Sequence, residues 1–224
     1  MSSQKSTADT AVPNIAAPNA ASPEGAPPTG PKMPTRERGR ARVAALLAAA
    51  STVFAEKGYD AATMTEIAAK AGAPIGSLYQ FFPTKAVLAD ALLAGYADAL
   101  VALLATVEAR AATLSPAELA ADLLAVLPSL KVERAAAFAL IDARPDMVAQ
   151  QGALRAGLRR GIAAILRAKS PALPAERAAA MAVTLLQMMK GAAALGDEPD
   201  LAQGREALAG LEHAASLFLE DALG

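Results

Sequence analysis

The chain contains no cysteine and only one histidine among its 224 residues. A disulfide framework and thiolate chemistry are therefore excluded, and neither a zinc hydrolase nor a Cys–His enzyme has the side chains that it needs. The lone histidine, His213, lies among apolar residues of a predicted helix, which favours a structural or interface role over a ligand role. We expect no metal site, no cofactor and no enzymatic activity.

Long apolar segments are also missing from the sequence. The longest apolar runs, such as residues 43–55, are shorter than the roughly 20 residues that a membrane-spanning helix needs. The N-terminus has no apolar signal core. Hydrophobic residues nevertheless make up 54% of the chain, which is ample for a packed core. We expect a soluble protein, and because cysteine is absent the reducing cytoplasm is its simplest location.

The formal net charge is only −1, which taken alone argues against a protein that binds nucleic acid. The charge is unevenly distributed, however. Residues 32–90 contain eight Lys and Arg against five Asp and Glu, whereas residues 91–224 contain twelve against fifteen. Attraction to phosphates depends on local charge, so this asymmetry favours an N-terminal part that faces DNA.

Helical periodicity dominates the chain after its first 33 residues. Residues 1–33 are rich in Ala, Pro, Ser, Thr and Asn and have no period, which predicts a disordered tail. The remainder shows apolar residues at helical spacing and no alternating strand pattern, so we predict an all-α fold. We place one domain over residues 34–84 and a second over residues 85–224. The helix breaks are predicted near Gly58, Leu114, Pro128, Pro145, Pro171 and Pro199.

Residues 63–85, with the sequence TMTEIAAKAGAPIGSLYQFFPTK, carry the strongest local signal. Thr63 and Glu66 have the spacing of a capping box, and Gly72 suits the left-handed backbone at the end of a short helix. A second short helix is predicted from Pro74, with Leu78 and Phe82 buried on one face. Two short helices around a tight turn are typical of a helix-turn-helix that reads the major groove. Its outward face would carry Ile75, Gly76, Ser77, Tyr79 and Gln80.

The longer pattern FAEKGYDAATMTEIAAKAGAPIGSLYQFFPTK, residues 54–85, closely resembles the DNA-binding domain of TetR/AcrR-type transcriptional regulators. The resemblance covers about residues 40–100, with the motif itself at residues 63–82. The glycines, the LYxxF element and the lysine after the turn are in register. The resemblance implies a three-helix helix-turn-helix domain followed by a helical domain that binds an effector and dimerises. Residues 85–224 resemble the family only in length and helical character.

The resemblance also implies which residues would contact DNA. The second helix of the motif would enter the major groove, with Ile75, Gly76 and Ser77 facing base edges and Ile75 contacting a thymine methyl group. Pro74 occupies the place of a frequent serine cap. Core packing is an alternative role for Tyr79, but Leu78 and Phe82 already supply the buried face. The residues expected on the DNA backbone are Thr63, Thr65, Tyr79 and Lys85.

A short basic arm precedes the first helix and allows two interpretations. Arg36, Arg38, Arg40 and Arg42 could be the solvated start of a helix, or they could contact the minor groove and phosphates. We count Arg36, Arg38 and Arg40 as candidate DNA contacts.

The second half of the chain offers candidates for a pocket and an interface. Ser115 and Glu118 form a second capping box, and two strongly apolar helices are predicted over residues 175–195 and 201–222. Ordinary core packing is the simpler role for any one methionine, although flexible methionines also adapt to ligands. The candidate effector-pocket residues are Phe138, Met147, Met181, Leu186 and Met189. The candidate dimer-interface residues are Leu185, Met188, Leu208, Leu211, Ala215 and Phe218.

These features lead to one functional hypothesis and two alternatives. The hypothesis is a homodimeric DNA-binding transcriptional regulator, a repressor that a small-molecule effector releases from a palindromic operator. The alternatives are an architectural DNA-binding protein that needs no ligand and a helical protein–protein adaptor. A stabilising small molecule would argue against the architectural protein, whereas an adaptor would keep its partner after Tyr79 and Lys85 are replaced.

Overall fold

A computed structural model describes residues 37–198 and 201–223 of the chain. Its described residues contain helices and turns and no strand, which confirms the all-α fold with an N-terminal helix-turn-helix domain and a helical C-terminal domain. The helices are α1 (Glu37–Ala61), α2 (Met64–Lys70), α3 (Ile75–Phe81), α4 (Lys85–Glu108), α5 (Pro116–Val126), α6 (Lys131–Ala143), α7 (Val148–Lys169), α8 (Ala175–Leu195) and α9 (Leu201–Leu223).

The helix ends follow the punctuation in the sequence. Regular geometry in α1 breaks at Gly58, whose φ of 77° lies in the left-handed region. Short 3₁₀ turns occupy Pro128–Leu130 and Pro145–Met147, close to two of the predicted breaks. The Ser115–Glu118 capping box is present and begins α5. Pro199 and the predicted tail, residues 1–33, lie outside the described residues.

The apolar side chains of the first three helices form a small core of their own. Leu46 and Phe54 from α1, Ile67 from α2, and Leu78 and Phe82 at α3 are fully buried in it. This core fixes the position of α3 relative to α1, as the spacing of Leu78 and Phe82 predicts.

Helices α5, α7, α8 and α9 surround a second, larger apolar core. Helix α4 contributes to both cores, with Leu88 and Leu92 in the first and Leu100 and Leu104 in the second. The predicted domain boundary between residues 84 and 85 therefore lies between α3 and α4, but it does not separate the two cores.

Helix α6 also belongs to both parts of the molecule. Ala136 and Leu140 are fully buried in the first core, whereas Ala137 is buried in the second. Helix α6 packs along α1, and this is the most extensive helix–helix contact among the described residues. The C-terminal domain therefore supplies part of the core on which the helix-turn-helix rests.

Two helices, α4 and α8, are long and apolar enough to cross a membrane by length and composition alone. Leu100 of α4 and Leu185 of α8 are buried in the second core, as is usual for the core helices of a globular domain. This feature is weak evidence for a membrane span.

Candidate DNA-binding site

A capping box at Thr63 fixes the start of α2. The Thr63 hydroxyl accepts a hydrogen bond from the Glu66 amide at 3.2 Å, and the Thr63 amide donates to Glu66 Oε2 at 3.1 Å. Lys57 Nζ donates to Glu66 Oε1 at 2.6 Å. This bond and those from Thr63 hold the pKa of the Glu66 carboxyl below its usual value. The Thr63 hydroxyl, an expected phosphate contact, thus also caps the helix, while Thr65 is exposed beside it.

A tight turn at Gly72 joins α2 to α3. Gly72 has a φ of 58°, which a residue with a Cβ atom seldom adopts. The Ala73 amide donates to the Ala68 carbonyl at 2.9 Å and closes the turn. The open space around Gly72 would accommodate a Cβ atom, so the requirement for glycine comes from the backbone conformation.

Helix α3 presents an exposed face opposite its buried anchors. Ile75 is 40% exposed and Tyr79 is 48% exposed, which is unusual for large apolar and aromatic side chains. Gly76 and Gln80 are exposed and Ser77 is partly exposed. Pro74 stands at the N-cap without a side-chain hydrogen bond. The structure therefore places the five predicted outward residues around the solvent-facing part of one short helix.

Lys85 makes contacts that the sequence did not indicate. Its ammonium donates to the carbonyls of Tyr59 at 2.7 Å, Asp60 at 3.2 Å and Ala62 at 3.0 Å. It also lies 4.5 Å from the centroid of the Tyr59 ring, a cation–π distance. A lysine ammonium has three donors, and all three are engaged inside the domain. This geometry does not support the expected phosphate contact of Lys85.

The other basic residues of this domain divide into two groups. Lys57 pairs with Glu66, and Lys70 pairs with Glu56 at 3.0 Å. Arg38 and Arg40, in the first turn of α1, are exposed and form no ion pair within the described part of the chain. The arm is thus helical from Glu37 onward, and Arg36 lies outside the described residues. The unpaired positive charge of the domain is concentrated at the start of α1.

No local pattern in the sequence indicates the junction around Tyr59. Its ring centroid lies 5.9 Å from that of Phe54, and the Arg144 guanidinium lies 5.7 Å from the Tyr59 centroid. Arg144 also donates to Asp90 at 2.7 Å. Because Arg144 follows α6, these contacts join the end of α6 to α1 and α4. Thr84 caps the start of α4, where its hydroxyl accepts a hydrogen bond from the Val87 amide. Thr84 is not among the predicted site residues, although its capping pattern could have identified it.

Two cavities lie in the C-terminal domain. The first, of about 520 Å³, lies between α4 and α7 and is lined by Met147. The second, of about 630 Å³, is lined by Phe138 and Leu186. Met181 and Met189, two further predicted pocket residues, line neither cavity and are buried in the second core. This burial does not support the predicted role of the two methionines in an effector pocket.

The predicted interface residues also divide into two groups. Leu185 and Ala215 are fully buried within the chain's own core, which does not support their predicted role at an interface. The remaining four are partly buried and pack against that core; they are Met188, Leu208, Leu211 and Phe218.

We expect the Lys85→Met substitution to destabilise the protein in the absence of DNA. The apolar stem would be preserved while three carbonyls lose their donor, which should cost about 1–3 kcal/mol of unfolding free energy. Denaturant titration measures this, with Lys70→Met as the control, since an exposed ion pair contributes less than about 1 kcal/mol. Wild-type stability in Lys85→Met, combined with weaker DNA binding, would restore the phosphate role.

Comparisons with known proteins agree with this geometry. Residues 46–92 match the family model described as bacterial regulatory proteins, tetR family, which covers α2, α3 and most of the first core. No curated protein matches the chain.

Several solved structures share the fold. A transcriptional regulator from Rhodococcus sp. Rha1 is 28% identical, with 81% of this chain and 95% of that chain covered and a TM-score of 0.57. A TetR transcriptional regulator from Streptomyces coelicolor is also 28% identical, with coverage of 81% and 98% and a TM-score of 0.51. NalD, the secondary repressor of a multidrug efflux pump in Pseudomonas aeruginosa, is 19% identical, with coverage of 80% and 96% and a TM-score of 0.53.

The NalD likeness shows the fold alone. The family match lies on the helix-turn-helix, and the two 28%-identical regulators extend the likeness over most of the chain. Residues 46–92 therefore form a DNA-binding domain of the tetR family of bacterial regulatory proteins, and the chain is similar to solved transcriptional regulators over most of its length.

Proposed function

We propose that the protein is a homodimeric repressor that binds a palindromic operator through α3 and is released by a small-molecule effector. The exposed face of α3, anchored by buried Leu78 and Phe82, is the observation that carries this proposal. Because the helix is already held in place, little conformational entropy is lost when its outward side chains bind in a DNA groove. The protein would act in the cytoplasm, where operator DNA is accessible.

The chemistry of α3 suggests how bases are read. Ile75 is apolar and exposed, so its side chain suits contact with a thymine methyl group. Gly76 has no side chain and lets the backbone approach the bases, while Ser77 offers one hydroxyl. Gln80 can donate and accept through its amide and thus suits an adenine edge.

Hydroxyl groups and arginines would hold the DNA backbone. Tyr79 is half exposed, and its hydroxyl has no hydrogen-bond partner among the described residues, so it is available to a phosphate. Thr65, on α2, is also exposed. The lysines of the domain are engaged within the fold. The positive charge that would bind phosphates and release their counterions is therefore that of Arg38 and Arg40 at the start of α1.

Dimerisation through α8 and α9 would supply the second recognition helix. Val183 on α8 is 42% exposed and Leu217 on α9 is 51% exposed, and the two helices pack against each other. Exposed small residues accompany them at helical spacing, including Ala180, Gly210 and Ala214, and allow a second copy to approach closely. Two such helices can form a four-helix interface with their symmetry mates.

Release would follow from the position of α6. Ala137, Phe138 and Ile141 of this helix line the second cavity, while Ala136 and Leu140 pack in the core beneath the helix-turn-helix. A ligand that prefers a shifted α6 would therefore favour a different position of the DNA-binding domain. The two recognition helices need a spacing of about 34–36 Å, so a small shift lowers operator affinity.

A gel-shift titration with DNA from the protein's own promoter region tests the proposal as a whole. Specific binding at low salt is expected, because such regulators commonly control a neighbouring gene. Failure to bind any fragment of this region would overturn the operator hypothesis.

We expect the Tyr79→Phe substitution to weaken operator binding about tenfold, because one hydrogen bond to a phosphate is lost in each subunit. Fluorescence anisotropy with labelled operator DNA measures the change. Thr106→Val removes a hydroxyl group from an exposed residue of α4 outside both cavity linings and should leave the affinity unchanged. Equal losses in the two variants would contradict a direct contact by Tyr79.

Replacing both Val183 and Leu217 by Glu should convert the dimer into a monomer, because the substitution brings like charges together at an apolar interface. Size-exclusion chromatography with light scattering measures the mass at a fixed protein concentration. Val132→Glu places the same charge at a comparably exposed residue of α6 and should leave the dimer intact. A dimeric double variant would place the interface elsewhere.

A further inference from the structure

The second cavity of the C-terminal domain combines an apolar interior with a basic rim. Leu158 and Leu186 are almost fully buried, and the aromatic rings of Tyr96 and Phe138 add to the apolar wall. Its volume of about 630 Å³ is in the range of small-molecule sites. The charged side chains that line it comprise four bases and one acid, and they are Lys131, Arg134, Arg155, Lys190 and Asp197.

Two of these basic residues share one acidic partner within the fold. Lys131 Nζ lies 2.7 Å from one oxygen of Asp197, and Arg134 lies 2.6 Å from the other. Arg134 also donates to the carbonyls of Leu127 at 3.0 Å and Ala193 at 3.3 Å. Its guanidinium is buried and fixed, so it forms part of the wall of the cavity.

The other two basic residues have no acidic partner. Arg155 on α7 and Lys190 on α8 are exposed, and their charged groups form no ion pair or hydrogen bond within the described residues. Both line the same cavity, and burial together with the positive charges of Arg155 and Arg159 lowers the pKa of Lys190, because like charges repel. An anion at this position would relieve that repulsion.

The phenol of Tyr96 adds a polar group to the cavity wall. The Tyr96 hydroxyl has no hydrogen-bond partner among the described residues. Every fully buried side-chain oxygen in this part of the chain has a partner, so the Tyr96 hydroxyl must be accessible from open space. Burial raises the pKa of Tyr96 to about 12, so the group is a neutral donor at physiological pH.

We propose that this cavity binds an amphipathic monoanion, with an apolar body among Tyr96, Phe138 and Leu186 and a carboxylate held at the rim by Arg155 and Lys190. The inference deepens the proposed function, since it rests on this cavity as the effector site and names the chemistry of the effector. Charge complementarity selects the anion, because an apolar cation would meet two unneutralised basic groups.

Calorimetric titration of the full chain with decanoate, decanol and decylamine tests the assignment without DNA, with decanol kept below its solubility limit and the two ions below their critical micelle concentrations. The three probes share an apolar chain and differ in head-group charge. We expect decanoate to bind about tenfold more tightly than decanol, and decylamine to bind most weakly. Equal affinities for decanoate and decanol would overturn the proposal.

Substitutions at the rim of the cavity test where the carboxylate of the ligand binds. Arg155→Gln and Lys190→Gln should each weaken decanoate binding about tenfold and leave decanol binding unchanged. Arg155→Lys should retain binding, because it keeps the charge. Arg167→Gln makes the same charge change on α7 away from the cavity lining and should bind decanoate like wild type. Decanoate affinity that is unaffected by both rim substitutions would overturn the assignment.

A separate measurement distinguishes this proposal from the proposed function. Adding saturating decanoate to the operator complex should release the DNA. Decanoate that binds in calorimetry but leaves the complex intact would support the ligand assignment and contradict effector release. If the protein binds no operator, the calorimetric result still decides the ligand assignment.

Discussion

The packing of α6 against α1 is the contact on which the rest of the structure depends. Leu140 and Ala136 of α6 complete the apolar core that supports α3, so the DNA-binding domain is built partly from a helix of the C-terminal domain. Interior packing is dense and does not deform continuously, so a shift of α6 must be matched by a shift of its neighbours. The same helix lines the second cavity through Phe138 and Ile141. One helix therefore contacts both the core that supports α3 and the cavity that we propose as the effector site.

A second constraint is the use of polar groups inside the DNA-binding domain. Lys85 holds three carbonyls where α1 ends, and Lys57 and Lys70 pair with glutamates. Arg144 connects the end of α6 to Asp90 and to the ring of Tyr59. These contacts stabilise the position of α2 and α3, and the proposed DNA contacts are therefore arginines and hydroxyls. The formal charge of the domain thus overstates the charge that is free to meet phosphates.

The sequence predicted local features well because each depends on neighbouring residues. The Thr63–Glu66 capping box, the left-handed Gly72 and the burial of Leu78 follow from backbone geometry and helical spacing. The all-α fold followed from the same periodicity.

Long-range contacts were harder to predict from the sequence. Lys85 reaches carbonyls about 25 residues away in the chain, which no local pattern indicates. Leu185 and Met189 have the same apolar character as interface or pocket residues, and only the packing of α8 shows that they face inward. Arg155 and Lys190 lie on different helices, so their common position at one cavity was not visible in the sequence.

Pulsed electron spin resonance on the proposed dimer tests most directly whether the cavity and the recognition helices are coupled. The chain has no cysteine, so Ala69→Cys on the exposed side of α2 gives one label in each subunit. With operator DNA we expect one narrow distance distribution, set by the half-site spacing of about 34–36 Å. Saturating decanoate should shift that distribution in the absence of DNA. An unchanged distribution, with decanoate shown to be bound by calorimetry, would contradict coupling through α6.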